Sequence, residues 1–199
     1  MTRISTYSGG WFDLAHPRVD QVRIQDIAHH TSILGRFTGA TQRLYSVAEH
    51  QLVVCRLMEL DGLHPELCLA GLTHDGHEAY TGDLSSPMKE LLGPEWRIVE
   101  DRIQEVVMRA LDVHWDQAVA ALVKRYDLIA RRSEALTLME SKGADWDWNE
   151  DTPLVVDVGI VGYLPRAAET LYLQKFQKYR PGRLDRSLVG SYDRVISTQ

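Results

Sequence analysis

The sequence predicts an all-α fold, on three observations. Apolar residues recur every three or four positions through several stretches, helix-starting residues stand at the heads of those stretches, and strand-like alternation is confined to short pieces. Residues 1–25 carry Gly9, Gly10 and Pro17 among scattered aromatics and read as an irregular arm, with a short strand over Val22–Ile24. Asp26 can cap a helix through Leu34, which Gly35 then ends in the left-handed conformation that glycine adopts cheaply. Ser46 and Glu49 form a capping box ahead of VAEHQLVVCRLMEL, so the next helix spans 46–60. Pro65 starts another through Leu72, which runs into THDGHEAYTGDL, where Gly76 and Gly82 loosen the backbone. Pro94 opens a long helix with Trp96, Val99, Ile103, Val106 and Ala110 on one face, and Asp116 caps its successor, reaching about residue 140. A loop from Gly143 leads to a short extended piece before Gly162, and Pro165–Tyr179 forms the last helix. The expected division is an N-terminal arm over 1–25, a helical body over 26–179 and a polar tail over 180–199, lying on the surface or against another subunit.

Composition narrows the function. The 199 residues, 44% apolar and 25% charged, suit one globular domain with a sizeable core. Twenty-two Lys and Arg against 28 Asp and Glu give a net charge of −6, which excludes a general attraction to nucleic-acid polymers or anionic membranes. A phosphate-bearing small molecule would have to meet local cations. No run approaches the roughly 18 apolar residues of a membrane span, and the start has no secretory apolar segment. Cys55 and Cys68 lie in apolar helical stretches, as buried hydrophobes of a reducing compartment rather than a disulfide pair. The cytoplasm is the expected location.

Four side chains invite metal chemistry. His74 and Asp75 sit together at a glycine-flanked helix end, where a cation beyond the end can collect both. His50 shares a helix face with Val47, Val54 and Leu57, so its imidazole points into the core and needs a partner. Asp127 shares a face with Val123, Ala130 and Glu134, where a carboxylate is costly unless paired, hydrogen-bonded or bound to a cation. Two imidazoles and two carboxylates suit Zn²⁺, Mn²⁺, Co²⁺ or Fe²⁺ and leave room for water and substrate.

The segments YSVAEHQLVV, LTHDGHEAYTGDLSSPMK and VKRYDLIARRSEAL resemble the three motif blocks of HD-domain phosphohydrolases, over roughly residues 27–140. The spacing resembles the bacterial 5′-deoxynucleotidase branch, which also takes in phage deoxynucleoside triphosphate hydrolases, some selective for dATP. The resemblance implies an HD-domain helical bundle and one divalent metal ion, Mg²⁺ included among the candidates, held by His50, His74, Asp75 and Asp127. It gives Glu78 the task of orienting or deprotonating the attacking water, and Asp83 that of handling the leaving 5′-oxygen or a second water. In that branch an Arg-Trp pair meets the sugar phosphate and the base; here the pair reads Arg36-Phe37, and phenylalanine stacks but lacks the indole donor.

Close in sequence to the motif residues, Arg36, Lys89 and Lys124 are the expected phosphate anchors, with Phe37 either a base platform or ordinary core packing. The expected substrate is a 5′-deoxynucleotide in a bacterial or phage-infected cell, a monophosphate releasing phosphate or a triphosphate releasing triphosphate. The triphosphate calls for further cations such as Arg102, Arg131, Arg132 or a neighbouring subunit's in a homo-oligomer. A non-catalytic nucleotide-sensing module is the alternative, opposed by Glu78 and Asp83. A two-metal phosphodiesterase would need more histidines between Asp83 and Asp127, where His114 stands alone. His77 reads as an exposed loop residue, His114 as a surface residue at a helix start, and the adjacent His29 and His30 as non-ligands. The acidic and tryptophan-bearing stretch Asp145, Trp146, Asp147, Trp148, Glu150 and Asp151 reads as a solvated loop with packed indoles.

Overall fold

Ten of the fourteen residues of Val47–Leu60 are buried, among them Glu49, His50 and Gln51, so this helix is the axle of the fold rather than a surface element. The computed structural model describes residues 2–144, 146, 148, 153–154 and 158–180. The tail beyond residue 180, Asp145, Asp147, Glu150, Asp151 and most of the extended piece expected before Gly162 lie outside the described residues.

Among the described residues the chain is mostly helical: α1 (Ile24–Ile33), α2 (Val47–Leu60), α3 (Pro65–Thr73), α4 (Glu78–Thr81), α5 (Ser86–Leu92), α6 (Pro94–Leu111), α7 (Gln117–Leu138) and α8 (Pro165–Tyr179). Helix α2 packs against α1, α3, α7 and α8, and α8 also covers α1 and α3. The buried side chains Val54, Met58, Leu72, Ile103, Val107, Ala130 and Tyr172 join these helices into one core. Each Val, Leu, Ile or Met side chain removed from water contributes about 1.5–3 kcal/mol. Gly71 lets α3 lie close on α2, because a Cβ there would meet Met58 Sδ. Both cysteines are buried and free.

The helix starts follow local chemistry. Pro65, Pro94 and Pro165 each open a helix, where the missing N–H costs nothing. Asp116 caps α7 through Val119 N at 2.8 Å. Asp112 ends α6 with φ +54°, a left-handed cap on a non-glycine residue.

The N-terminal segment departs from expectation. Its strands are β1 (Arg3–Ser5) and β2 (Trp11–Asp13), an antiparallel hairpin with Ile4 opposite Phe12, and Phe12 is fully buried against Tyr80. Val22–Ile24 is not a strand: a 3₁₀ turn over Val19–Gln21 leads into α1 at Ile24. Asp26 does not cap that helix. It lies within it, fully buried, and its carboxylate accepts from Ser8 N (2.6 Å) and Ser8 Oγ (2.9 Å), which fastens the hairpin loop to the body. Gly35 does not end α1 in the left-handed region. Leu34 is extended, Gly35 bridges Ser46, and the positive φ values fall on Phe37 and Thr38 instead. Pairing across the neck of a loop took precedence over the glycine's conformational freedom.

The capping box is half formed. Ser46 Oγ accepts from Glu49 N at 3.2 Å, but the Glu49 carboxylate turns away to accept the N–H groups of Val161, Gly162 and Tyr163, each at 2.8 Å. Helices α4 and α5 were not legible as such, the first being a single turn.

Candidate metal centre and adjoining pocket

Four side chains from three segments converge at one end of α2. His50 comes from its first turns, His74 from the residue closing α3, Asp75 from the turn after it, and Asp127 from the middle of α7. His50 Nε2 lies 3.2 Å from Asp127 Oδ1 and 3.6 Å from Asp75 Oδ2, and His74 Nε2 lies 3.2 Å from Asp75 Oδ2. His50, His74 and Asp75 each offer a donor atom within 4.8 Å of the others, so the group can hold a metal ion. The helical-face argument therefore placed His50, and the helix end gathered His74 with Asp75.

The tautomers of both histidines follow from their other nitrogens. His74 Nδ1 faces the carbonyl of Gly71 at 2.8 Å, an acceptor only, so Nδ1 donates. His50 Nδ1 likewise donates to Glu134 Oε1 at 2.6 Å. Both Nε2 atoms are buried and have no hydrogen-bond partner. Two imidazole lone pairs thus face carboxylate oxygens, an arrangement that only a shared proton or a cation makes favourable. The donor set fits a divalent ion. Burial and Arg36 disfavour the charged imidazole of His50, yet Glu134 and Asp127 outweigh them and lift it to about 9; the surround that draws a proton also draws a cation. Despite burial, His74 and His50 hold Asp75 well below the usual carboxylate range, and His50 and Lys124 do the same for Asp127.

A cavity of about 810 Å³ opens beside this cluster. Every expected site residue except the two buried histidines lines it: Arg36, Phe37, Asp75, Glu78, Asp83, Lys89, Lys124 and Asp127. Glu78 is 3% exposed, and burial together with the charges of Asp75 and Asp83 pushes its carboxyl well up. Burial also raises Asp83, against the pull of Arg36. Arg36 is held at a loop neck by Arg36 N to Tyr45 O (2.9 Å) and Val47 N to Leu34 O (2.9 Å). Its guanidinium lies 3.3 Å from Glu134 and 3.7 Å from Asp75, while its Nε is buried without a partner. Lys124 Nζ donates to Asp127 Oδ2 at 2.6 Å, and Lys89 Nζ to Glu100 Oε1 at 2.6 Å.

Several contributors escaped the sequence reading. Glu134, fully buried, joins His50, Tyr45 OH (2.9 Å) and Arg36; its signal was its place on the Asp127 face, two turns along. Trp146 and Arg97 line the pocket, Trp146 with its ring centroid 5.7 Å from that of Phe37. Arg131 lines it too, over Trp146, whereas Arg102 donates elsewhere, to the carbonyl of Ala15. His77 is not an exposed loop residue: it is 6% exposed, because α6 packs over it. His114 is exposed, and His29 and His30 bind Glu169 and the Ala79 carbonyl.

No protein-family model matches the chain. It is 29% identical over 176 residues to the uncharacterized protein YfdR of Escherichia coli, covering 88% of this chain and 94% of that protein. It is 33% identical over 134 residues to the uncharacterized protein RCAP_rcc00048 of Rhodobacter capsulatus, covering 64% of this chain and 68% of that one. The chain belongs to the family of the Rhodobacter protein. Among the described residues no helix is long and apolar enough to cross a membrane.

Proposed function

We propose that this protein is a metal-dependent HD-type phosphohydrolase that cleaves the 5′-phosphoester of a deoxynucleotide. The observation that carries the reading is the pair of buried, unpartnered Nε2 atoms of His50 and His74 turned onto Asp75 at the floor of a nucleotide-sized cavity. Asp127, 3.2 Å from His50, is the fourth ligand in this reading. A divalent cation held there supplies an acidified water and neutralises phosphoryl charge.

The chain's own groups do the rest. Glu78 lines the cavity with its carboxyl raised by burial and by the neighbouring acids Asp75 and Asp83, which favours taking a proton from a water beside it. Asp83, raised in the same direction, serves the leaving oxygen. Arg36, whose buried Nε has no partner, lines the cavity together with Lys89 and Lys124, three cations for an anionic group. Phe37 and Trp146 offer π-faces to a base.

The test is turnover of metal-loaded protein on panels of deoxy- and ribonucleoside mono- and triphosphates, with product identification. Release of phosphate or of triphosphate from a deoxynucleotide is expected, and its identity assigns the branch. Asp75→Ala is expected to abolish turnover and lower bound metal, whereas Glu78→Ala keeps the metal and loses the rate. Tight nucleotide binding without turnover by any panel member makes the protein a sensing module and overturns the hydrolase reading.

A further inference from the structure

One turn of α6 grips the functional loop from behind. Gln104 Nε2 donates to the carbonyl of His74 at 2.6 Å, which fixes the amide so that its Oε1 faces His77 Nδ1 at 2.8 Å. That nitrogen therefore donates. On the other side of the ring, His77 Nε2 lies 3.2 Å from Glu100 Oε1, the same oxygen that accepts from Lys89 Nζ at 2.6 Å. Lys89 Nζ in turn stands 3.8 Å from Glu78 Oε1.

Glu100 and Gln104 are four apart on α6, so both project from one face. Close contacts run from the backbone of a metal-ligand candidate, through Gln104, His77 and Glu100, to a cation in the cavity wall. A solvated lysine would sample many rotamers; here Lys89 is only 29% exposed and tied at its tip. The Glu100 carboxylate does not line the cavity, and of its two contacts, His77 and Lys89, only Lys89 does, so the direct route from Glu100 to a ligand runs through Lys89.

We propose that Glu100 is a positioning residue: with His77 and Gln104 behind it, it holds the Lys89 ammonium beside Glu78, where the ammonium meets a phosphoryl oxygen of the ligand. That the ligand is a substrate rests on the hydrolase reading; the anchoring of a phosphate by Lys89 does not.

The experiment is calorimetric titration of Mn²⁺-loaded protein with inorganic phosphate, in the wild type, Lys89→Met, Glu100→Gln and the double variant, alongside steady-state kinetics on the best deoxynucleotide. Lys89→Met and Glu100→Gln are each expected to weaken phosphate about tenfold, and the double variant to be no weaker than Lys89→Met alone, since one acts through the other. In kinetics the loss falls on KM more than on kcat. Should Glu100→Gln fail to fold, Glu100→Asp replaces it and is expected to retain part of the phosphate affinity. Independent losses that multiply in the double variant, an unchanged affinity in Glu100→Gln, or no phosphate binding by the wild type overturns the positioning role. Phosphate binding that follows the expected pattern without turnover of any nucleotide sinks the hydrolase reading and leaves the positioning role standing.

Discussion

A single buried carboxylate shows how residue chemistry sets the centre. Glu134 accepts from His50 Nδ1 and Tyr45 and faces Arg36, so it orients a metal-ligand candidate and an anion anchor together. Burial opposes its charge, but His50 and Arg36 keep its carboxyl below the usual range. Glu134→Gln keeps the volume and removes the charge, and the metal affinity measured by titration is expected to fall about 10–100-fold. An unchanged affinity would show that His50 is oriented by packing alone. Phe37, held at φ +55° with its ring against Trp146, is expected to act on selection rather than rate: Phe37→Ala should alter the ratio of kcat/KM between purine and pyrimidine substrates more than kcat. The buried placing of His50 and Asp127 was legible because helix-face spacing reveals a polar residue on an apolar side, and His74 with Asp75 because both sit at a helix end. Glu134 carried the same signal and lacked only a stated reason. His77 was misread because nothing local announces that a helix whose contacting residues lie 23 and 27 positions on will cover it.

Elements add what spacing hides. Glu49 looked like the second half of a capping box, yet its carboxylate gathers three backbone N–H groups from residues 161–163 and so clips the entry to α8 onto α2. Charge-assisted bonds of this kind are worth about 1.5–3 kcal/mol each, and losing the acceptor leaves three part-buried donors unmet. Glu49→Ala is expected to lower unfolding free energy by about 3 kcal/mol or more, read from denaturant midpoints at constant m; a loss under about 1 kcal/mol would mean that water replaces the carboxylate. Short-range rules could not foresee this, because the alternative partners lie more than a hundred positions away. The same holds for Asp26, a plausible helix cap by sequence that is spent on Ser8.

At the scale of the molecule, the helical class was readable from periodicity, while the order in which helices touch was not. Two long-range carboxylates report on that assembly. Glu59 of α2 takes Lys175, Lys178 and Tyr179 of α8, and Glu100 of α6 takes His77 and Lys89. Although burial opposes ionisation in both, these partners bring each carboxyl from 4.5 down to about 2. A depressed carboxyl stabilises the fold fully above its unfolded value and ceases to do so as pH falls through the folded one. Thermal stability is therefore expected to drop between about pH 4.5 and pH 2. In Glu59→Gln the plateau should be lower and the acid limb shallower; a limb of unchanged steepness assigns the loss to other groups.

Gly71 carries its own consequence. Its bare backbone sets how closely α3 rests on α2, and its carbonyl receives His74 Nδ1, so the gap between two helices is also the gauge of the distance from His74 to His50. Gly71→Ala should wedge that gauge open against the fully buried Met58, and a compensating Met58→Ala should close it again. A genetic screen that selects for restored metal retention would then recover suppressors in apolar side chains that touch no ion.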